Sequence, residues 1–330
     1  MSPGPGTPPG PSVTPGSPSE SLHALHAALV ATGLAGHPEG HPEGQPDGQP
    51  DGGWAPRLVR HGSHAVYALA GPPRRVARVG ADGPREREEA GLALRVARWL
   101  ADAGFPAVRA VADGDLAVPQ PVAAKGQLVT FWHALGDRHG TTADLGGLLR
   151  RFHALDLPAG LVPAPMDPVG RVRRQVGAST ALGDADRAFL TDRLDAVAQR
   201  YARLDLPLPP GHLHGDATVA NVVLDTAGRP ALVDLDLVRT GPREWDLVRT
   251  AVSARRLGWH TEEEYRNFAL AYGHDVAALP GFAVLADLTE LLQVAWLADA
   301  ATARPQLAPE LAARIATLRE DTTRRTWQRI

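Results

Sequence analysis

Residues 213–236 read LHGDATVANVVLDTAGRPALVDLD, and the fold turns on how this stretch is read. His214, Asp216, Asn221, Asp234 and Asp236 stand here among short apolar runs. Val222 to Leu224 and Ala231 to Val233 are β-branched or aliphatic and suit two strands. Thr226, Ala227 and Gly228 between them suit a tight hairpin turn, with Gly228 able to take a positive φ. Asp234 follows the second strand. Such a hairpin brings Asn221 and Asp234 together beside the loop that carries Asp216. Oxygen-bearing side chains gathered in this way suit a hard cation together with a general base.

Composition limits what that cluster can serve. The chain has 330 residues and an apolar fraction of 44%, enough for one large two-lobed domain or two ordinary ones. A formal charge of −3 argues against a nucleic-acid partner. Cysteine is absent, which excludes disulfides, thiolate metal sites and a cysteine nucleophile. Phe282 to Ala301 is the most apolar long run, but Asp287, Glu290 and Asp299 interrupt it, so no membrane partner is expected. With no basic-then-apolar leader, the expected location is the cytoplasm. Lys125 is the sole lysine among 34 basic residues, so arginine is expected where other proteins place lysine.

From the N-terminus, residues 1–18 are rich in Pro, Gly and Ser and are expected to be a disordered tail. Ser19 to Thr32 suits an amphipathic helix on Leu22, Leu25 and Leu29, with Ser19 as N-cap and Gly33 as stop. Residues 37–53 hold repeated Pro-Glu-Gly and Pro-Asp-Gly turns, expected to be a flexible insertion. Arg57 to Arg60, Ala65 to Ala70 and Arg75 to Val79 suit an antiparallel meander, and Pro84 to Gly104 a helix. Val108 to Val111, Ala117 to Pro119 and Gln127 to Trp132 suit further strands. Beyond Leu135 the pattern is helical. Helices are expected over Thr142 to Leu155, Asp184 to Leu204, Trp245 to Leu257, Glu262 to Tyr272, Phe282 to Ala301 and Pro309 to Arg329. The expectation is an α+β, bilobal chain with a small β-rich lobe over 19–134 and a larger, mostly helical lobe over 135–330. A cleft between such lobes is a usual ligand site.

H-G-D-x-x-x-x-N, then L-V-D-x-D, then G-P-R-E-W-D-L-V resembles the aminoglycoside phosphotransferase family, a small-molecule branch of the protein-kinase-like fold. Flanking phrases agree: Gly62-Ser63 followed by Val66-Tyr67, Val96 to Leu100, and Val129 to Trp132. The resemblance runs from Ser19 to about Leu318, leaving out the Pro-Gly insertion. It implies an ATP- and Mg²⁺-dependent transfer of the γ-phosphate to a small-molecule hydroxyl. Asp216 would be the catalytic base. Asn221 and Asp234 would hold Mg²⁺. His214 and Asp246 would support the catalytic loop. Asp236 is a third metal candidate, as an i, i+2 partner of Asp234 on one strand face, or else a hydrogen-bond acceptor for backbone amides beyond the strand.

The small lobe is then expected to hold ATP. The turn of Gly62, Ser63 and His64 would cover phosphates, and Arg78 stands where kinases place their phosphate-binding lysine. The acidic partner of that cation usually falls where this chain has Ala93, and Glu89, one helical turn earlier, is the substitute candidate. The Trp132 carbonyl and Ala134 amide are the candidates for adenine. The acceptor is open: an aminoglycoside, or an amino alcohol, sugar or amino sugar of ordinary metabolism. A nucleotide-binding pseudokinase is the competing reading, motivated by Arg78 and Ala93. Glu262 to Glu264 reads as the acidic first turn of a helix capped by Thr261 rather than a rim for polycations.

Overall fold

A computed structural model describes residues 16–34, 56–62, 64–320 and 325–330. Residues 1–15 of the tail expected over 1–18 and the Pro-Gly insertion lie outside the described residues, and the tail ends earlier than expected, because Ser17 caps and Pro18 opens a helix. The chain divides into two compact units, Met1–Gly136 and Asp137–Ile330.

The first unit begins with helix α1 (Pro18–Thr32). Its N-cap is Ser17 rather than Ser19, because Pro18 suits the first helical position and Ser17 with Glu20 completes a capping box. Gly33 ends the helix in the left-handed region. Strands β1 (Arg57–His61), β2 (Ala65–Leu69) and β3 (Arg75–Ala81) form the meander. Helix α2 (Pro84–Asp102) follows, then β4 (Val122–Ala124) and β5 (Gln127–His133). The five strands make one antiparallel sheet in the order β1-β2-β3-β5-β4. Leu25, Ala28 and Leu29 of α1 join Tyr67, Leu69, Val129 and Phe131 in its core. Burial of this kind stabilises by roughly 25 cal/mol per Å² of apolar surface removed from water.

Two expected strands differ. Residues 108–111 make only an isolated bridge, Ala110 to Trp132, and 117–119 form none; the edge strand is β4 instead. The reason is Gln120. Its buried amide donates to the Val111 carbonyl at 2.6 Å and accepts from the Phe131 amide at 2.7 Å, so a side chain fills places that a ladder would use.

The second unit holds α3 (Thr142–His153), α4 (Pro168–Ala178) and α5 (Asp184–Tyr201). Helix α4 is not evident from the pattern: its buried residues are Pro168, Val172 and Val176 in an Arg-rich run. Short strands β6 (Gly211–Leu213), β7 (Val222–Leu224), β8 (Pro230–Leu232) and β9 (Arg239–Gly241) pair as β6 with β9 and β7 with β8. Helices α6 (Glu244–Arg255), α7 (Glu262–Tyr272), α8 (Phe282–Ala303) and α9 (Ala308–Arg319) complete it. Thr261 and Glu264 form a capping box on α7, which accounts for the acidic run. Helix α9 stops ten residues short of the expected Arg329. Arg325 is buried and donates to the buried Glu290 of α8 at 3.0 Å, and the Trp327 indole donates to Thr317 at 2.7 Å. These anchors hold 325–330 as extended chain. Glu290 also pairs with Arg256 at 3.2 Å, so the charge inside α8 is matched. Among the described residues no helix is long and apolar enough to cross a membrane.

Candidate active site

The site is a loop held at both ends by short strands. Pairing of Leu213 with Arg239 ends β6, and the chain enters residues 214–221. Gly215 has φ +80°, and a Cβ there would lie 2.0 Å from the Leu237 carbonyl oxygen. Only glycine fits, on both conformational and steric grounds. After a 3₁₀ turn at Val219–Asn221 the chain becomes β7. The hairpin closes where the sequence puts it: Gly228 has φ +78°, and the Asp225 carboxylate accepts from the Ala227 and Arg229 amides at 2.9 and 2.8 Å. One further bond, Val233 amide to Asn221 carbonyl at 3.0 Å, extends the ladder and brings the chain before Asp234 alongside Asn221.

Asp216 is the most engaged carboxylate of the loop. One oxygen, Oδ2, accepts from Asn221 Nδ2 at 3.1 Å, and the same Nδ2 donates to the Asp216 backbone carbonyl at 2.8 Å. Both partners of Nδ2 are acceptors, which fixes the amide orientation and turns Asn221 Oδ1 the other way. The other oxygen, Oδ1, accepts from Nη1 of Arg249 on α6.

Beneath this loop lies a buried support. His214 is fully buried. Its Nε2 donates to the Val233 carbonyl at 2.9 Å, and its Nδ1 accepts the Asp216 amide at 3.3 Å. These two bonds specify one neutral tautomer. The side chain therefore ties the Asp216 loop to the β7–β8 hairpin. Asp246, on the first turn of α6 and 1% exposed, accepts from the His214 amide at 2.6 Å and the Gly215 amide at 2.9 Å. It also accepts from His153 Nε2 at 3.0 Å, and His153 Nδ1 meets the Tyr272 hydroxyl at 2.9 Å. Burial pushes the Asp246 carboxyl up, but the His153 bond and charge and the Gly215 amide outweigh it and hold it below the usual value. Burial pushes the Tyr272 phenol up to about 12, so it stays neutral.

His153, Tyr272 and Arg249 were not legible in the sequence. His153 and Tyr272 sit in helices without any local signal, and they meet Asp246 and each other across 93 and 119 positions of chain. Arg249 had a faint signal: it lies three residues after Asp246, on the same helix face.

Asp234 and Asp236 depart from expectation. Asp234 sits in the left-handed region at φ 64°, and Leu235–Leu237 is a 3₁₀ turn. The two carboxylates are therefore not alternate residues of one strand, and the shared-face argument for Asp236 as a metal ligand does not hold. Asp tolerates the left-handed region better than most residues, because its short side chain can bond locally.

In the first unit, Gly62 donates its amide to the His64 carbonyl at 3.0 Å, and a Cβ at Gly62 would meet nothing within 4 Å. Ser63 lies outside the described residues. Arg78, on β3 between Val66 and Thr130, has Nη2 3.3 Å from His64 Nδ1. Glu89 accepts from Arg85 at 3.1 Å, one helical turn away, and Ala93 is fully buried. The adenine candidates need correction. The Ala134 amide donates to the Arg74 carbonyl at 3.0 Å. Ladder bonds alternate along antiparallel strands, so the Trp132 carbonyl, opposite Val76, also faces β3. Neither group is presented to a ligand.

The chain's likeness to known proteins agrees with this geometry. No curated sequence matches significantly. Among solved structures, the amicoumacin kinase hAmiN in complex with AMP-PNP, Ca²⁺ and Ami has a TM-score of 0.64 at 14% identity, over 83% of this chain and 90% of that one. An aminoglycoside-3′-phosphotransferase of type VIII has 0.57 at 20% identity, over 82% and 99%. The choline kinase LicA of Streptococcus pneumoniae has 0.57 at 14%, over 80% and 94%. At these identities the likeness shows the fold, a protein-kinase-like one. The model of the phosphotransferase enzyme family matches residues 56–288, well over half of the chain. The chain belongs to that family, whose members are kinases acting on hydroxyl groups of small molecules.

Proposed function

We propose that this protein transfers the γ-phosphoryl group of ATP to a hydroxyl of a small molecule, with Asp216 as the base. The observation that carries the proposal is the Asp216 carboxylate, oriented by Asn221 on one side and presented by a loop whose backbone the buried Asp246 holds from beneath. In the step, the acceptor oxygen forms a bond to the γ-phosphorus as the bond to the bridging oxygen of ADP breaks. The hydroxyl proton passes to Asp216, and ADP carries away the electron pair.

The residues fit a Mg²⁺ ion. Asn221 Nδ2 is taken up by Asp216, which leaves its carbonyl oxygen Oδ1 as a hard ligand, and Asp234 supplies a carboxylate two residues past β8. One or two protein oxygens with substrate phosphates completing the shell is the usual Mg²⁺ arrangement. Among the described residues no group of three or more His, Asp or Glu forms an all-protein metal cage, in keeping with that arrangement. When bound, the ion would offset the negative charge of the phosphates. The AMP-PNP and Ca²⁺ held by the amicoumacin kinase support a nucleotide and a divalent cation here. Arg78 and the Gly62 turn are the proposed phosphate contacts in the first unit, and the proposed use of ATP supports a cytoplasmic location.

ATP with Mg²⁺ should raise the melting temperature of the purified protein; no shift at millimolar ATP would sink the nucleotide reading. ATP consumption is then measured over aminoglycosides, amino alcohols, sugars and nucleosides. Asp216→Ala should lower turnover of any accepted compound by about 10²–10⁴-fold. ATP binding without turnover of any acceptor would support the pseudokinase instead.

A further inference from the structure

Among the described residues, Arg249 is the one charged group that meets the proposed base from outside its own loop. It projects from α6 one helical turn beyond Asp246, so a single helix face holds the loop backbone with one residue and the loop carboxylate with the next. The two oxygens of Asp216 divide the site. Oδ2 lies on the side of Asn221, the proposed metal ligand, and Oδ1 lies on the side of Arg249. With Oδ2 held by Asn221, the oxygen left to meet the acceptor hydroxyl is Oδ1, the one that Arg249 holds.

This ion pair is not a stability device. The Arg249 side chain is 41% exposed and that of Asp216 27%, and pairs this open add little to folding. Among the described residues, Asp216 is the sole hydrogen-bond partner of the Arg249 side chain, which leaves most of the guanidinium N–H donors available. Resting on the kinase reading above, we infer that Arg249 is a specificity-determining residue that selects acceptors carrying an anionic group, a carboxylate, close to the reacting hydroxyl.

The charge balance carries this. When a hydroxyl takes its place on Oδ1, the guanidinium is displaced from its carboxylate and needs another. A neighbouring carboxylate on the acceptor supplies it in the fork geometry that arginine favours. A cationic group at the same place would face the guanidinium directly, as its counter-charge turns to the hydroxyl. The site thus disfavours ammonium-bearing acceptors at the reacting end, although solved structures with this fold include kinases of choline and of aminoglycosides.

The test uses the full-length protein with ATP and Mg²⁺ and two matched series. The first is glycerate, glycerol and 3-aminopropane-1,2-diol; the second is gluconate, glucose and glucosamine. Transfer and equilibrium binding are both measured. The anionic member of each series should exceed the cationic one by about tenfold or more in kcat/KM or affinity, the scale of a single well-placed charge contact. Arg249→Gln should bring the members within about twofold of each other, chiefly through KM. Arg249→Lys should restore the order, which a merely structural role would not do. Thermal stabilisation by ATP and Mg²⁺ checks that each variant is folded and binds nucleotide.

Equal or cation-favouring behaviour in the wild type overturns the proposal. So does an order unchanged in Arg249→Gln, and so does failure to bind any of the six compounds. A uniform loss of rate over all acceptors would place Arg249 on the phosphoryl group instead. Failure of ATP itself to bind strikes the kinase reading rather than the role of Arg249.

Discussion

Replacing Asp246 tests whether the loop is held as described. Its carboxylate accepts three hydrogen bonds, from the His214 amide, the Gly215 amide and His153 Nε2, and the group is 1% exposed. Asp246→Ala leaves these donors buried and unmatched, a loss of about 3–5 kcal/mol. That is a large part of the roughly 5–15 kcal/mol that a folded domain has. Asp246→Asn separates charge from shape. Its amide oxygen can take the place of Oδ2, which accepts from His214 and His153, but its NH₂ group then faces the Gly215 N–H, donor against donor. A loss of about 1–3 kcal/mol is expected, the range for leaving a buried polar group unsatisfied. Urea denaturation measures both. The difference between wild type and Asp246→Asn should also depend on pH. The folded carboxyl is held below its ordinary value of 3.8, so its contribution is complete above that value and is lost as pH falls through the folded pKa. The gap should be constant at neutral pH and close only below about pH 4. An Asn variant as stable as wild type at pH 7, or a gap that persists unchanged to pH 3, would refute the reasoning.

Three further outcomes follow from the same geometry. Gly215→Ala should destabilise by at least about 1–2 kcal/mol from the left-handed backbone alone. The approach to the Leu237 carbonyl adds to this and should displace Asp216, so turnover falls by more than the melting temperature suggests. Asn221→Ala and Asp234→Ala should each raise the Mg²⁺ concentration needed for half-maximal ATP turnover by about tenfold or more; an unchanged Mg²⁺ titration would remove them as ligands. Arg78→Glu and Glu89→Arg should each weaken ATP binding, and the double reversal should recover part of it; no recovery would separate the two residues.

The loop of Asp216 and its hairpin were legible because their signals are local. Gly228 marks a turn that needs positive φ, Val222 to Leu224 and Ala231 to Leu232 flank it at hairpin distance, and the spacing from Asp216 to Asn221 lies within one short loop. Helices α5 and α7 were legible for the same reason, since the periodic apolar face of each, and for α7 the Thr261 cap and the Gly273 stop, lie within the segment. The edge strand was not. Gln120 looks like an ordinary loop residue until its amide is found between Val111 and Phe131. Nor was the end of α9 legible, because Arg325 leaves the helical path for Glu290, whose charge is buried in another helix. The strand reading of Asp234 to Asp236 misled for a related reason: alternation is a rule for extended backbone, and Asp234 leaves that region at φ 64°.

By itself the sequence determined which groups are the candidates for chemistry. Asp216, Asn221 and Asp234 are close along the chain, and a hairpin of fixed length joins them whatever packs around it. Tertiary structure decided what those groups touch. His153 reaches Asp246, Tyr272 reaches His153 and Arg249 reaches Asp216 only after α3, α6 and α7 have packed, and their hydrogen bonds depend on distances that separation along the chain does not encode. Burial did the rest: it left Asp246 no water to bond, so its partners had to come from other elements, while the pair of Asp216 and Arg249 stayed open to solvent, where a ligand can exchange for it.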